Sequence, residues 1–198
     1  MFMNEQEILS NVKQFAIDNT SKDDLHGLPH IMRVLNSCLN LGKNLSANLF
    51  ILEISALLHD IGREGENRAI YNKNHAEISA EMALDFLKSK NFQIHQEKLD
   101  NIIHCIKAHS FSNNIVPETL EAKILSDADK LDALGAIGLY RTIVFTIKTQ
   151  GGINQVIEHL ENKIMKLKTR MNLRVTKKIA EERHQIILDF YTKVRNEV

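Results

Sequence analysis

Three stretches of this chain concentrate side chains that bind cations or move protons. His59 and Asp60 are adjacent; they close an apolar run, residues 54–58, and precede a polar stretch, 61–74, that holds Gly62, Gly65, Asn67, Asn72 and Asn74. His26 and His30 lie four apart across Gly27-Leu28-Pro29. Asp127-Ala128-Asp129-Lys130-Leu131-Asp132 spaces three carboxylates at i, i+2 and i+5. Each stretch also has a plainer reading. A histidine near a helix C-terminus is favoured by the macrodipole, one in a first turn serves as a cap or surface group, and a run of aspartates makes a solvated face. Leu125, Leu131 and Leu134 beside the aspartates argue against the last of these. On a helix, 127 and 129 point to different faces, so at most one is a ligand while the other orients a neighbour. Imidazoles and carboxylates drawn together from these stretches make a mixed nitrogen–oxygen donor set. Such a set suits Mn, Fe, Co, Ni or Zn better than Ca or a thiolate-type zinc site.

Rigid elements must hold these groups, and the sequence pattern is helical. The 198 residues include only two prolines and eight glycines, too little punctuation for many short strands. Apolar residues recur at three and four: Ile31, Val34, Leu35 and Cys38; Ile78, Met82 and Phe86; Val156, Ile157, Leu160 and Ile164. This periodicity predicts helices near 4–19, 29–43, 47–60, 74–90, 96–109, 118–129, 131–149, 152–170 and 172–195. Pro29 and Pro117 suit helix entries, where a missing N–H costs little. The 61–74 stretch reads as a loop lining a pocket. The expected fold is all-α, one domain over 1–198 with eight or nine helices. Its motif-bearing core is about 20–145, and the Lys- and Glu-rich helices over 152–195 pack around it or form an oligomer surface.

The composition excludes several function classes. Lys plus Arg equals Asp plus Glu at 25 each, so no net field draws the chain to nucleic acid or an anionic membrane. No apolar run approaches the roughly 18 residues that span a bilayer, since 47–58 is broken by Asn48, Glu53 and Ser55. The first ten residues carry Glu5, Gln6 and Glu7, unlike the basic-then-apolar order of a secretory signal. Cys38 and Cys105 sit among apolar residues, the ordinary use of reduced, buried cysteine in a cytoplasm. A soluble cytoplasmic protein is expected.

The spacing from His30 by 29 residues to His59, and from Asp60 by 69 to Asp129, resembles that of the HD-domain superfamily of metal-dependent phosphohydrolases. The flanks tighten the match: His-Ile-Met-Arg-Val from His30, Ala-Leu-Leu-His-Asp-Ile around His59, His-Ala-Glu-Ile-Ser-Ala from His75, and Ile-Leu-Ser-Asp-Ala-Asp-Lys-Leu-Asp-Ala-Leu-Gly-Ala-Ile-Gly from Ile124. In particular the chain resembles the bacterial YpgQ/YedJ-like group of that superfamily, over about 20–145. The resemblance implies an all-α fold and a divalent metal ion (Mn, Co, Ni, Fe, Zn or Mg) held by His30, His59, Asp60 and Asp129. Asp129 is preferred to Asp127 because the superfamily's aspartate is commonly followed by a basic residue, here Lys130.

The activity implied is hydrolysis of a phosphoester or pyrophosphate bond in a small phosphorylated substrate, typically a nucleotide. A divalent ion lowers the pKa of bound water from 15.7 toward about 7 and neutralises phosphoryl charge. Asp60 and Lys130 are the expected catalytic residues; Lys130 meets a substrate phosphate as a point charge. Arg33, one turn from His30, is expected to be structural. His75 and His109 are expected to meet substrate or a second metal ion. His104, among Ile102, Ile103 and Ile106, reads as a satisfied core histidine. Glu64 is a candidate acid or base, and His95, His159 and His184 read as surface groups. A second hypothesis keeps scaffold and metal but no chemistry: a sensor that binds a nucleotide and signals to a partner. All four ligand positions are filled, which favours the enzyme.

Overall fold

A computed structural model describes residues 4–63, 74–90, 92–110 and 113–198. The described residues contain nine α-helices, one 3-10 segment and no strand. The all-α expectation holds. The expected loop at 61–74, with Glu64, lies mostly outside the described residues. The chain forms two compact units, Met1–Ser126 and Asp127–Val198, and the division falls inside helix α6.

In the first unit, α1 (Glu5–Asp18) opens with a capping box in which Asn4 and Glu7 satisfy each other's backbone N–H groups. Helix α2 (Leu28–Leu45) carries Pro29 in its first turn, as its sequence predicts. Helix α3 (Leu49–Leu58) is the centre. Asn48 caps it by accepting from the Ile51 N–H at 3.2 Å, and Phe50, Ile51, Leu52, Ile54, Ala56, Leu57 and Leu58 are all buried. Helices α1, α2, α4 (His75–Ser89) and α5 (Gln96–His109) pack against it. An element buried on every side is hydrophobic all round rather than amphipathic. The residues that follow it therefore begin in the middle of the unit. Helix α6 spans Leu120–Asp132 and starts two residues later than Pro117-Glu118 suggests, because the Thr119 hydroxyl accepts from the Ala122 N–H and sets the cap.

The second unit holds α7 (Gly135–Lys148), α8 (Ile153–Asn162), the 3-10 segment Ile164–Arg170 and α9 (Arg174–Glu197). Leu131, Leu134, Val156, Leu160, Ile164, Leu167, Met171, Ala180 and Ile187 form its core. Asp132 and Arg141 add a buried ion pair at 2.7 Å. The helix read over 131–149 begins only at Gly135, which adopts φ +73°, a left-handed conformation that glycine reaches without penalty. The helix read over 152–170 breaks at Lys163 (φ −129°, ψ −62°) and continues as 3-10. His184, expected at the surface, is buried on α9 beside Thr176, Ala180 and Ile187.

Candidate metal centre

The first unit gathers four buried histidines around one carboxylate. His59 and Asp60 follow α3 directly, His30 lies in the first turn of α2, His75 opens α4, and His109 ends α5. All five side chains are buried, His30 and His59 completely. Asp60 Oδ2 lies 3.6 Å from His30 Nε2 and 3.8 Å from His59 Nε2, and those two nitrogens are 3.3 Å apart. Asp60 Oδ1 lies 3.6 Å from His75 Nε2 and 3.4 Å from His109 Nε2. His26 stands at the rim with Nδ1 4.0 Å from Oδ2.

Two local devices aim the rings. His59 Nδ1 lies 2.8 Å from the Ala56 carbonyl and His109 Nδ1 lies 2.6 Å from the Ile106 carbonyl. A ring that donates Nδ1–H to a carbonyl keeps its Nε2 lone pair for another partner, the usual arrangement of a metal-binding histidine. The turn that carries Asp60 is itself pinned. The Gly62 N–H donates to Ser79 Oγ at 2.9 Å, and a Cβ at Gly62 would sit 2.6 Å from the Ser79 nitrogen, so only glycine lets the turn approach α4 this closely.

Burial pushes the Asp60 carboxyl up, but the charges of His59 and Arg63 and the bonds from His109 and His30 outweigh it and hold the group well below the usual carboxylate range. Arg63 donates Nε–H to Oδ2 at 2.9 Å. Sequence reasoning missed this partner, although i,i+3 spacing with opposite charge is a readable signal. Asp60 Oδ1 and His109 Nε2 are buried and neither makes a well-aligned hydrogen bond among the described residues. Such atoms are costly unless something else satisfies them. The donor atoms of His59, Asp60 and His109 all lie within 4.8 Å of one another, so a divalent cation fits this nitrogen–oxygen set.

The other expected residues lie on the second half of α6. Asp129 is half-buried and Lys130 is buried. Burial lowers the proton affinity of Lys130, the carboxylates of Asp127 and Asp129 raise it, and the Arg170 guanidinium lowers it; the net shift is downward. Asp127 is buried and bonds the chain around Asn172. Arg33 donates Nη2–H to the Asp24 carbonyl at 3.3 Å, a bond that ties α2 to the preceding loop. His104 accepts the Glu118 N–H at 3.0 Å and is a satisfied packing histidine. His95 precedes α5 at its N-cap, and His159 stacks its edge on Phe145.

A helical scaffold that buries a histidine–aspartate cluster at the end of its central helix defines a class of metal-site proteins. The chain belongs to the HD domain family, which matches residues 27–134. It is 29% identical to the uncharacterized protein YpgQ of Bacillus subtilis over 201 aligned positions, covering 98% of this chain and 93% of YpgQ. The crystal structure of B. subtilis YpgQ in complex with ADP is similar at 26% identity and a TM-score of 0.77, covering 99% of this chain and 97% of that one. A crystal structure of an HD-superfamily hydrolase from Bacillus thuringiensis is similar at 27% identity and a TM-score of 0.73, covering 98% of each chain. The similarity to a hydrolase of this superfamily extends over nearly the whole length. No helix among the described residues is long and apolar enough to cross a membrane.

Proposed function

We propose that this protein is a metal-dependent phosphohydrolase that cleaves a phosphoester or pyrophosphate bond of a nucleotide. The observation that carries the reading is Asp60, a buried, ionised carboxylate with Nε2 of His30 and His59 on one oxygen and Nε2 of His75 and His109 on the other. In this reading His30, His59 and Asp60 hold the divalent ion, and Asp129 completes the set. Asp129 lies inside the stretch matched to the family, 27–134, and is preferred to Asp127 because a basic residue, Lys130, follows it. His75 and His109, with the second oxygen of Asp60, supply donors for a second ion or steady the first.

When bound, the ion supplies hydroxide at neutral pH and neutralises charge on the attacked phosphoryl group. Asp60 keeps its charge with the Arg63 guanidinium bonded to its Oδ2. It is thus a permanent anionic ligand and only a transient proton acceptor. Lys130 contributes a compact positive charge for a phosphate oxygen. Its burial strengthens that contact, since a charge in a low-dielectric setting acts further than one in water. A nucleotide is favoured over other phosphates because the similar YpgQ structure is a complex with ADP. The chelator-stripped protein, supplied with Mn, Co or Ni and a panel of nucleoside mono-, di- and triphosphates, should release phosphate or pyrophosphate. Asp60→Asn should not. Absence of release from every nucleotide with every metal would overturn the proposal.

A further inference from the structure

The neutral total of the chain is divided unevenly. The first unit carries twelve Lys and Arg against sixteen Asp and Glu, the second thirteen against nine. Seven of the thirteen fall in residues 163–178, which contain no Asp or Glu. The fold spreads them along two elements that pack on each other. Ile164 and Leu167 of the 3-10 segment enter one core with Ala180 and Ile187 of α9, which leaves the cations between them on the outer side. The Lys166 N–H donates to the Lys163 carbonyl at 3.2 Å, a 3-10 turn that stacks these two exposed lysines on one edge. Arg174 and Lys178 lie four apart on one face of α9 with Lys177 beside them, and all three are exposed. Asp127 fixes the corner between the two elements, since its buried carboxylate accepts the Asn172 and Leu173 N–H groups and the Thr176 hydroxyl.

For the chain alone this placement is electrostatically unfavourable. Cations in the first turn of a helix oppose its dipole, and α9 has Arg174 and Lys177 there with no acidic residue. The Asp127 carboxylate offsets one of these charges. Lys163, Lys166, Lys168, Arg174, Lys177 and Lys178 make no ion pair among the described residues, although Glu181 and Glu182 lie four after Lys177 and Lys178. A row of phosphates complements such a surface. We propose that residues 163–178 form a docking surface for the backbone of a nucleic-acid duplex, held without regard to base sequence. Proteins hold a single strand by stacking its bases on aromatic rings, and 163–178 contain none. A bilayer takes up exposed apolar side chains along with the cations, and Val175 is the one large hydrophobic side chain exposed in this stretch. Lys163 and Lys166, like Arg174 and Lys178, stand one turn apart, about 6 Å. That is the scale on which a strand sets its successive phosphates. The inference goes beyond the phosphohydrolase reading and stands or falls without it.

The test is fluorescence anisotropy of a labelled DNA duplex of about 20 base pairs, titrated with the full-length protein in excess chelator at about 50 and about 200 mM salt. Wild type should bind saturably at micromolar concentration in the lower salt. Its affinity should fall with a logarithmic salt slope of about −4, at about 0.9 per neutralised phosphate. Lys163→Gln with Lys166→Gln should weaken binding about tenfold or more and flatten the slope by about two. The thermal midpoint should stay that of wild type, because both side chains are exposed. Lys163→Arg with Lys166→Arg should bind as wild type does. Lys43→Gln with Lys90→Gln removes the same charge from exposed positions of the first unit and should leave the affinity nearly unchanged. Equal losses in the two glutamine pairs overturn the inference, as does wild type that binds no duplex at about 100 μM in the lower salt. Displacement of the duplex by polyglutamate as readily as by unlabelled duplex overturns it in favour of an acidic protein. Tighter binding to phosphatidylserine vesicles than to the duplex overturns it in favour of a membrane.

Discussion

The rings of His59 and His109 stand 4.9 Å apart at 86°, and each lays Nδ1 on the carbonyl three residues back, at Ala56 and Ile106. Helices α3 and α5 thus end in the same device. Both rings turn Nε2 toward Asp60, at 3.8 Å and 3.4 Å. Two ring nitrogens and a buried carboxylate thus converge on one small space, a donor set that a divalent cation fits.

His109→Gln should therefore weaken binding of Mn or Ni by more than the roughly 10- to 100-fold typical of an outer partner. The helical circular dichroism should stay unchanged, because glutamine still reaches a backbone carbonyl. Metal affinity equal to wild type would remove His109 from the centre.

Asp129 and Asp127 should respond oppositely. Asp129→Asn should lower metal affinity and turnover together and leave the thermal midpoint nearly unchanged. Asp127→Asn removes a charge from five hydrogen bonds at the start of α9, and bonds to charged groups contribute about 1.5–3 kcal/mol each. Its midpoint should fall by several degrees while metal affinity holds. Differential scanning calorimetry beside metal titration separates the two, and loss of metal by Asp127→Asn alone would exchange their roles.

Much of this was readable before the fold. His59-Asp60 at the end of an apolar run and Pro29 at a helix entry both follow from local periodicity. His75 and His109 were legible as suspects, but their convergence on Asp60 Oδ1 depends on how α4 and α5 pack against α3, which no local pattern encodes. The clasp between Asp127 and Asn172 joins residues 45 apart and left no trace in the spacing. The late start of α7 turns on the left-handed backbone of Gly135, and a glycine inside a helical pattern does not announce that conformation. His184 has no partner pattern in the sequence and so reads as a surface group; helical phase puts it beside Ala180 and Ile187.

His184 makes the fold acid-sensitive. Burial lowers its pKa from the ordinary 6.5, and the charge of Lys168 lowers it further. The folded state therefore binds this proton less readily than the unfolded chain. The stabilising contribution is complete above pH 6.5 and is lost as pH falls from there through the folded value. The thermal midpoint should drop on acidification below neutrality, and His184→Gln should flatten that drop. His159, shifted in the same direction by burial and Lys163, supplies a residual slope. An identical pH profile in His184→Gln would assign the acid sensitivity elsewhere.

The most direct test of the account is calorimetric titration of the chelator-stripped protein with Mn, run beside Asp60→Asn. Wild type should take up one ion, or two where His75 and His109 complete a second set, and Asp60→Asn should show no saturable binding while keeping its helical signal. Wild type that binds no ion, or Asp60→Asn that binds as tightly as wild type, would contradict a metal centre built on Asp60.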